Sequence, residues 1–224
     1  FSNNDRTYVS SSGNYTWVCS TFKLSSGKWY WEVEADAGTS ERVIGISNQH
    51  STSASFELGK KNGQVAYKGS DSGSIMSGYS SGYTAVDSGT GAISDGNIIG
   101  IALDLDSSTQ TVKFYNNNSL VYTHNLHNDQ KPSVTGLPLM AAVADADGGA
   151  TATFIGYFHA DDLNYSVPSG YNALSSSAMA RTVTGVGDYC VWNPLTMNIN
   201  ASSSLALSNG NLVVKNTASE DSNV

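Results

Sequence analysis

The chain of 224 residues carries 19 acidic and 11 basic side chains, which gives a formal charge of -8 and an isoelectric point near 4.7. This acidic balance excludes a phosphate-tracking nucleic-acid binder, which needs Lys and Arg clustered along one face. No apolar run approaches the ~20 residues of a membrane-spanning helix. With 22 Gly, only 4 Pro, 12 Tyr and Ser at about one residue in six, the composition fits an extracellular all-β protein with one sizeable core. The first residue is Phe1 and not Met, so the expectation is a start at a processed end or inside a longer polypeptide.

In chain order, Trp29-Tyr30-Trp31-Glu32-Val33-Glu34 alternates large apolar with polar side chains and reads as a strand with one face buried. Trp29 and Trp31 share one face and Tyr30 takes the other. Arg42-Val43-Ile44-Gly45-Ile46-Ser47 is a second strand, and residues 70–96, rich in Gly and Ser, read as a long surface loop crossing one edge. Residues 98–105 are apolar on both faces and predict a central strand. Residues 111–115 and 120–123 flank Asn116-Asn117-Asn118, a spacer that tolerates positive φ, so the three pieces predict a hairpin. Residues 139–144 and 151–157, joined by Asp145-Ala146-Asp147-Gly148-Gly149, read as another pair. Gly45 and Gly100 lie inside strands, where a missing side chain marks a bulge or a close backbone approach. The whole predicts an antiparallel, jelly-roll-like β-sandwich with helix content near zero.

Five segments in this order resemble the SPRY domain over roughly residues 20–160. They are Ser26-Gly27-Lys28-Trp29-Tyr30-Trp31-Glu32-Val33, Val43-Ile44-Gly45-Ile46, residues 96–104, residues 112–117 and Leu137-Pro138-Leu139. The run from Leu163 to Leu174 is similar to the variant found in bacteriophage structural and tail-fibre proteins. The resemblance implies a bent antiparallel sandwich that recognises partners through loops at one rim. Those loops are residues 48–58 with Asn48 and His50, the 70–96 loop with Tyr79 and Tyr83, and residues 125–136 with Asn128. Tyr mixed with Ser, Gly and Asn suits adaptable recognition of protein or sugar, so a glycan or host-surface receptor is one expected partner.

The last part of the chain, 188–224, resembles the segment that opens a phage SPRY-type repeat, and it follows a sandwich expected over 1–187. Aligning Phe1-Ser2-Asn3-Asn4 with Leu207-Ser208-Asn209-Gly210 sets the first 18 residues against the last 18. The tail's Val191, Trp192, Leu205, Leu207, Leu212 and Val213 are then an assembly segment. It completes its own sandwich, completes a neighbour's by strand exchange, or belongs to the next module of a tandem array.

Enzyme signatures are poor: there is no Gly-x-Ser-x-Gly elbow, phosphate-cradling loop or His-Glu-x-x-His pair. His124 and His127 face opposite sides of a strand and read as surface residues, and no cofactor is expected. Asp104 with Asp106, and Asp145 with Asp147, are weak Ca²⁺ candidates that polar turns also explain. Cys19 and Cys190 flank the shifted repeat boundary and form either a disulfide or two buried thiols. The expectation is a non-enzymatic structural or binding module of a tail fibre or extracellular filament, on a virion surface or outside a cell, self-associating through strand complementation. The alternative is a monomeric carbohydrate- or protein-recognition domain.

Overall fold

The computed structural model describes residues 7–9, 16–38, 41–49, 58–70, 72–78, 85–126, 138–146, 152–175, 205–208 and 213–216. Among the described residues fifteen strands pair into two sheets, and the helical content is one 3-10 turn, Ala160–Asp162. The strands are β1 (Thr7–Val9), β2 (Thr16–Cys19), β3 (Lys28–Gly38), β4 (Arg42–Ser47), β5 (Gln64–Lys68), β6 (Ser74–Ser77), β7 (Ala85–Ser88) and β8 (Asn97–Asp104). They continue as β9 (Thr111–Asn116), β10 (Ser119–Asn125), β11 (Met140–Asp145), β12 (Ala152–Tyr157), β13 (Asn172–Ala173), β14 (Leu205–Ser208) and β15 (Val213–Asn216). The larger sheet runs β10-β9-β8-β3-β12-β1-β15-β14, with β13 on β3, and the smaller runs β2-β11-β4-β5-β6-β7. The expected antiparallel sandwich is the observed architecture.

Period-2 patterning explains which side chains meet between the sheets. Trp29, Trp31, Val33 and Ala35 of β3 join Ile99, Ile101 and Leu103 of β8 and Phe114 of β9 against Ile44, Ile46, Val65, Tyr67 and Val143 from the facing sheet. A second buried group, including Trp17, Cys19, Val43, Ala66, Ala142 and Ala144, takes the alternate positions of the smaller sheet. The predicted hairpin is present as β9 and β10, with Asn117 at φ 47° and Asn118 at φ 66°. At Gly100, an added Cβ would sit 2.6 Å from the Tyr30 hydroxyl, the close approach expected of a glycine inside a strand.

Three expectations are corrected. Residues 70–96 are not one loop: they contain β6 and β7, which form the edge of the smaller sheet. The four-residue stretch Ser-Ile-Met-Ser buries Ile75 and Met76, which repays pairing despite flanking glycines. Residues 139–144 and 151–157 do not pair with each other. β11 lies between β2 and β4, whereas β12 lies between β3 and β1 in the other sheet, so their connection crosses the sandwich.

The third correction concerns β3. Both faces are buried, with Tyr30 1% and Glu32 0% exposed. The chain leaves β12 at Tyr157 and returns in β13, parallel to β3 at Trp29 and Tyr30. The strap between them closes over the outer face. Glu32 is its latch. Oε1 accepts from the Tyr30 hydroxyl (2.9 Å) and the Tyr165 N–H (3.0 Å), while Oε2 accepts from the Asn164 N–H (2.7 Å) and the Asn164 side-chain amide (3.3 Å). Hydrogen bonding to this extent is what makes burying a carboxylate tolerable.

The tail strands β14 and β15 continue the larger sheet beyond β1. They pair antiparallel with each other over four positions, and β15 meets β1 in parallel at Tyr8 and Val214.

Candidate functional site

Antiparallel register gathers the expected recognition segments at one rim. β4 ends at Ser47, opposite Gln64 at the start of β5 and Met140 at the start of β11. β6 ends at Ser77 on the same side, β7 begins there at Ala85, and β10 of the facing sheet ends at Asn125. A bridge between Leu24 and Leu139 ties the approach to β11 to the connection before β3. Segments 48–63, 78–84 and 126–139 therefore all spring from this rim. The rest of the misread 70–96 stretch, 69–73 and 89–96, lies at the opposite rim, where Arg42 donates to the Ile93 carbonyl (3.1 Å) and pairs with Asp95.

The described part of the rim is organised by Gln64, which is 1% exposed. Its side-chain oxygen accepts from the N–H groups of Gly59 (3.0 Å) and Lys61 (3.1 Å), and its amide nitrogen donates to the Ser47 hydroxyl (3.3 Å). Ser47 passes this order on: its Oγ–H donates to the Gln49 carbonyl (2.7 Å), while the Gln49 side-chain amide donates to the Asn62 carbonyl (3.2 Å). Asn48 donates its N–H to the Gly63 carbonyl (3.0 Å). Gly63 sits at φ +88°, and an added Cβ would fall 2.1 Å from the Asn48 side chain, so only glycine fits there. The outcome is a stiff base beneath the partly exposed Asn48, Gln49, Lys60 and Lys61 and the exposed Asn62.

Removing this organiser has a defined expected result. Gln64→Ala leaves the buried Gly59 N–H unpaired, and unfolding by urea shows a loss of about 2 kcal/mol. Amide exchange accelerates first across 58–63. A loss below about 0.5 kcal/mol with unchanged exchange would mean that the rim is ordered without it.

The connection after β8 meets the start of β3 at the same rim. Asp104 Oδ1 accepts from the N–H groups of Asp106 and Ser107 (both 3.0 Å), and Oδ2 pairs with the Lys28 ammonium at 2.8 Å. Burial pushes the Asp104 carboxyl upward, but Lys28, the Ser107 hydroxyl and the two N–H groups outweigh it and bring it down to about 2. Asp106 accepts the Gly27 N–H at 2.6 Å. Both carboxylates cap turns, and Asp104 is in addition paired with Lys28.

Of the expected binding residues, Asn48 is placed at the rim, whereas His50, Tyr79, Tyr83 and Asn128 lie outside the described residues. Asp145 is fully buried at the far end of β11, in register with Arg42, and Asp147 lies outside the described residues. Among the described residues no group of three or more His, Cys, Asp or Glu is placed to hold a metal. Cys19 is a free buried thiol whose burial pushes its pKa upward; Cys190 lies outside the described residues. Leu205 and Leu207 lie on β14 and Val213 on β15, while Val191, Trp192 and Leu212 are outside the described residues. His124 is 4% exposed and not a surface residue: its strand covers the edge of the core, and its ring stacks near Tyr122 with centroids 6.4 Å apart. His127 lies outside the described residues. Gln64 and Glu32 were missed at the sequence level. A polar residue opening a strand and a charge at an alternating position both look solvated.

The family model described as SPRY domain matches residues 28–145. The crystal structure of the SPRY domain of human HERC1 is similar, with a TM-score of 0.53 and 14% identity, covering 74% of this chain and 93% of that one. A crystal structure of a human SPRY domain has a TM-score of 0.47 and 23% identity, covering 67% of this chain and 91% of that one. No curated protein sequence matches the chain.

Proposed function

The chain belongs to the SPRY domain family, whose members are typically protein–protein binding modules, and we propose that it binds a partner polypeptide at the rim built on Gln64 and Ser47. The observation that carries this reading is the convergence of 48–63, 78–84 and 126–139 at one end of the sandwich. A hydrogen-bonded base under polar segments that include Tyr and Asn is how a rigid scaffold presents recognition loops.

The test starts from peptides selected against the full chain from a random display library. Asn62→Arg, at the exposed tip of the rim, weakens the selected peptide at least ten-fold, while Ser88→Arg at the opposite rim leaves binding within two-fold. Equal effects of both substitutions, or a glycan array giving the ligand that peptide selection does not, would overturn the reading.

A second reading is favoured by the tail. Among the described residues β14 ends the larger sheet, and a sheet edge extended by β14 and β15 suits a module that assembles with copies of itself by strand complementation, as in a tail fibre or extracellular filament. The likeness of residues 163–174 to phage structural proteins supports it. Light scattering over a concentration series tests it: mass rising with concentration is expected, and a strict monomer contradicts it.

A further inference from the structure

Head and tail share a register. The alignment of the first 18 residues with the last 18 sets each residue against the one 206 positions later. In the sheet, β1 and β15 lie side by side in parallel, and the pair in register is Tyr8 with Val214, the same offset. One sheet edge therefore sets side by side the two strands that the alignment pairs, Thr7-Tyr8-Val9 and Val213-Val214-Lys215, which share a position in the alignment and no residue. The inner strand, β1, sits on β12 through Thr7–Ile155, Tyr8–Phe154 and Val9–Thr153. The outer strand, β15, holds to β1 through that single pair but to β14 through four, so the β14–β15 hairpin is a unit better joined within itself than to the sheet.

We propose that β15, the strand that the alignment sets on β1, takes the place of β1 on β12 of a second copy of this chain, linking copies head to tail. This rests on the assembly reading above and names its acceptor slot. Direction is already correct: β1 is antiparallel to β12 and β15 is parallel to β1, so β15 enters without reversal. Register is fixed by the offset, with Val213 opposite Ile155, Val214 opposite Phe154 and Lys215 opposite Thr153. Facing Phe154, which is fully buried, the two strands supply Tyr or Val, both strong strand formers. Reach suffices as well: residues 176–204 separate the strap from β14, and a chain of that length extends to on the order of 90 Å. Nothing in Leu205-Ala206-Leu207-Ser208, which forms the outer edge, is a charge or a proline that would blunt it.

The occupant is a second copy because the strand that matches β1 in direction and in alignment offset lies on this same chain. Replacing β1 by β15 exchanges one backbone ladder for another of the same direction and register, so the exchange costs little beyond association. A head-to-tail contact of this kind does not close on itself and propagates.

Cysteines read the slot directly. In the 224-residue chain carrying Cys190→Ser, Thr153→Cys with Lys215→Cys places the two thiols two strand spacings apart, about 10 Å, when β15 lies beside its own β1. That is beyond disulfide reach. Mild oxidation is expected to give covalent dimers and longer ladders whose yield rises with protein concentration. A disulfide confined to monomers would mean that the tail displaces its own β1, and no disulfide at all would mean that β15 never enters the slot; either overturns the proposal. Val9→Cys with Lys215→Cys, on adjacent strands, is expected to close within one chain at low concentration and to lose that closure as concentration rises, because exchange parts β15 from its own β1. Closure within one chain at every concentration contradicts exchange. Light scattering of the unsubstituted chain separates the two claims: oligomers without the Thr153–Lys215 cross-link keep assembly and remove this slot, whereas a strict monomer removes both.

Discussion

Glu32→Ala lowers the free energy of unfolding by about 3 kcal/mol, because it leaves four donors without the buried carboxylate on which they converge, the Tyr30 hydroxyl in the interior among them. The Tyr30 hydroxyl, the Asn164 N–H and side-chain amide, and the Tyr165 N–H all converge on this one carboxylate. Tyr30→Phe removes a single donor and costs about 1 kcal/mol, and Glu32→Gln falls between the two because its NH₂ faces donors. Urea titration gives the energies. Hydrogen exchange at residues 164 and 165 shows where the loss begins, since the strap is otherwise fastened through β13 and the Leu174 N–H to the Tyr30 carbonyl (2.9 Å). A loss under about 1 kcal/mol for Glu32→Ala would mean that those backbone contacts alone hold the strap.

The second large effect depends on pH. Burial lowers the His124 pKa from its ordinary 6.5 to about 4. A histidine kept neutral in the fold takes up its proton first in the unfolded chain, so acid favours unfolding. Stability from this group is complete above about pH 6.5, is lost as pH falls from 6.5 to about 4 and is level below that, with a total of about 3 kcal/mol. The Asp104 contribution falls in a separate window: it is complete above the ordinary carboxylate value of 3.8 and is lost as pH falls through about 2. His124→Phe, which keeps an aromatic ring beside Tyr122, flattens the stability profile between pH 6.5 and 4 and leaves the lower window in place. An unchanged slope between 6.5 and 4 would assign the acid sensitivity to another group.

What the sequence revealed and what it concealed follow from the range of the interactions. Alternation along Trp29, Trp31 and Val33 is a property of the strand itself, and the structure buries those residues between the sheets. The Asn117-Asn118 turn is equally local, since its positive φ values are a demand on two residues. Pairing partners are not local. Asp145 to Gly149 looks like a hairpin turn, yet β11 is claimed by β4 and β12 by β3, choices made by surfaces a hundred residues away. Residues 74–77 were lost among glycines because four residues give too short a pattern to stand out, although their burial is complete at Ile75.

The rim was legible as loops but not as a built platform. Asn48 was expected there and is there, whereas Gln64, which orders the base, carries no signature beyond opening a strand. Glu32 and His124 show the same limit from the other side. Each is polar at a position that alternation assigns to solvent or an edge, and each is buried by elements distant in sequence: the strap over Glu32 and the core edge beneath His124. The tail is a further case. Its likeness to the head was visible only as order and spacing, with Ser2/Ser208 and Asn3/Asn209 as matching residues, and the register of Tyr8 with Val214 repeats that spacing in the sheet.

The central claim, a binding module whose recognition surface is one rim of the sandwich, is tested most directly by hydrogen exchange of the full chain with and without a selected peptide. Protection confined to 47–64, 77–85 and 125–140 is the predicted result. Protection centred on 69–73 and 89–96 at the opposite rim, with those three segments unchanged, would contradict it.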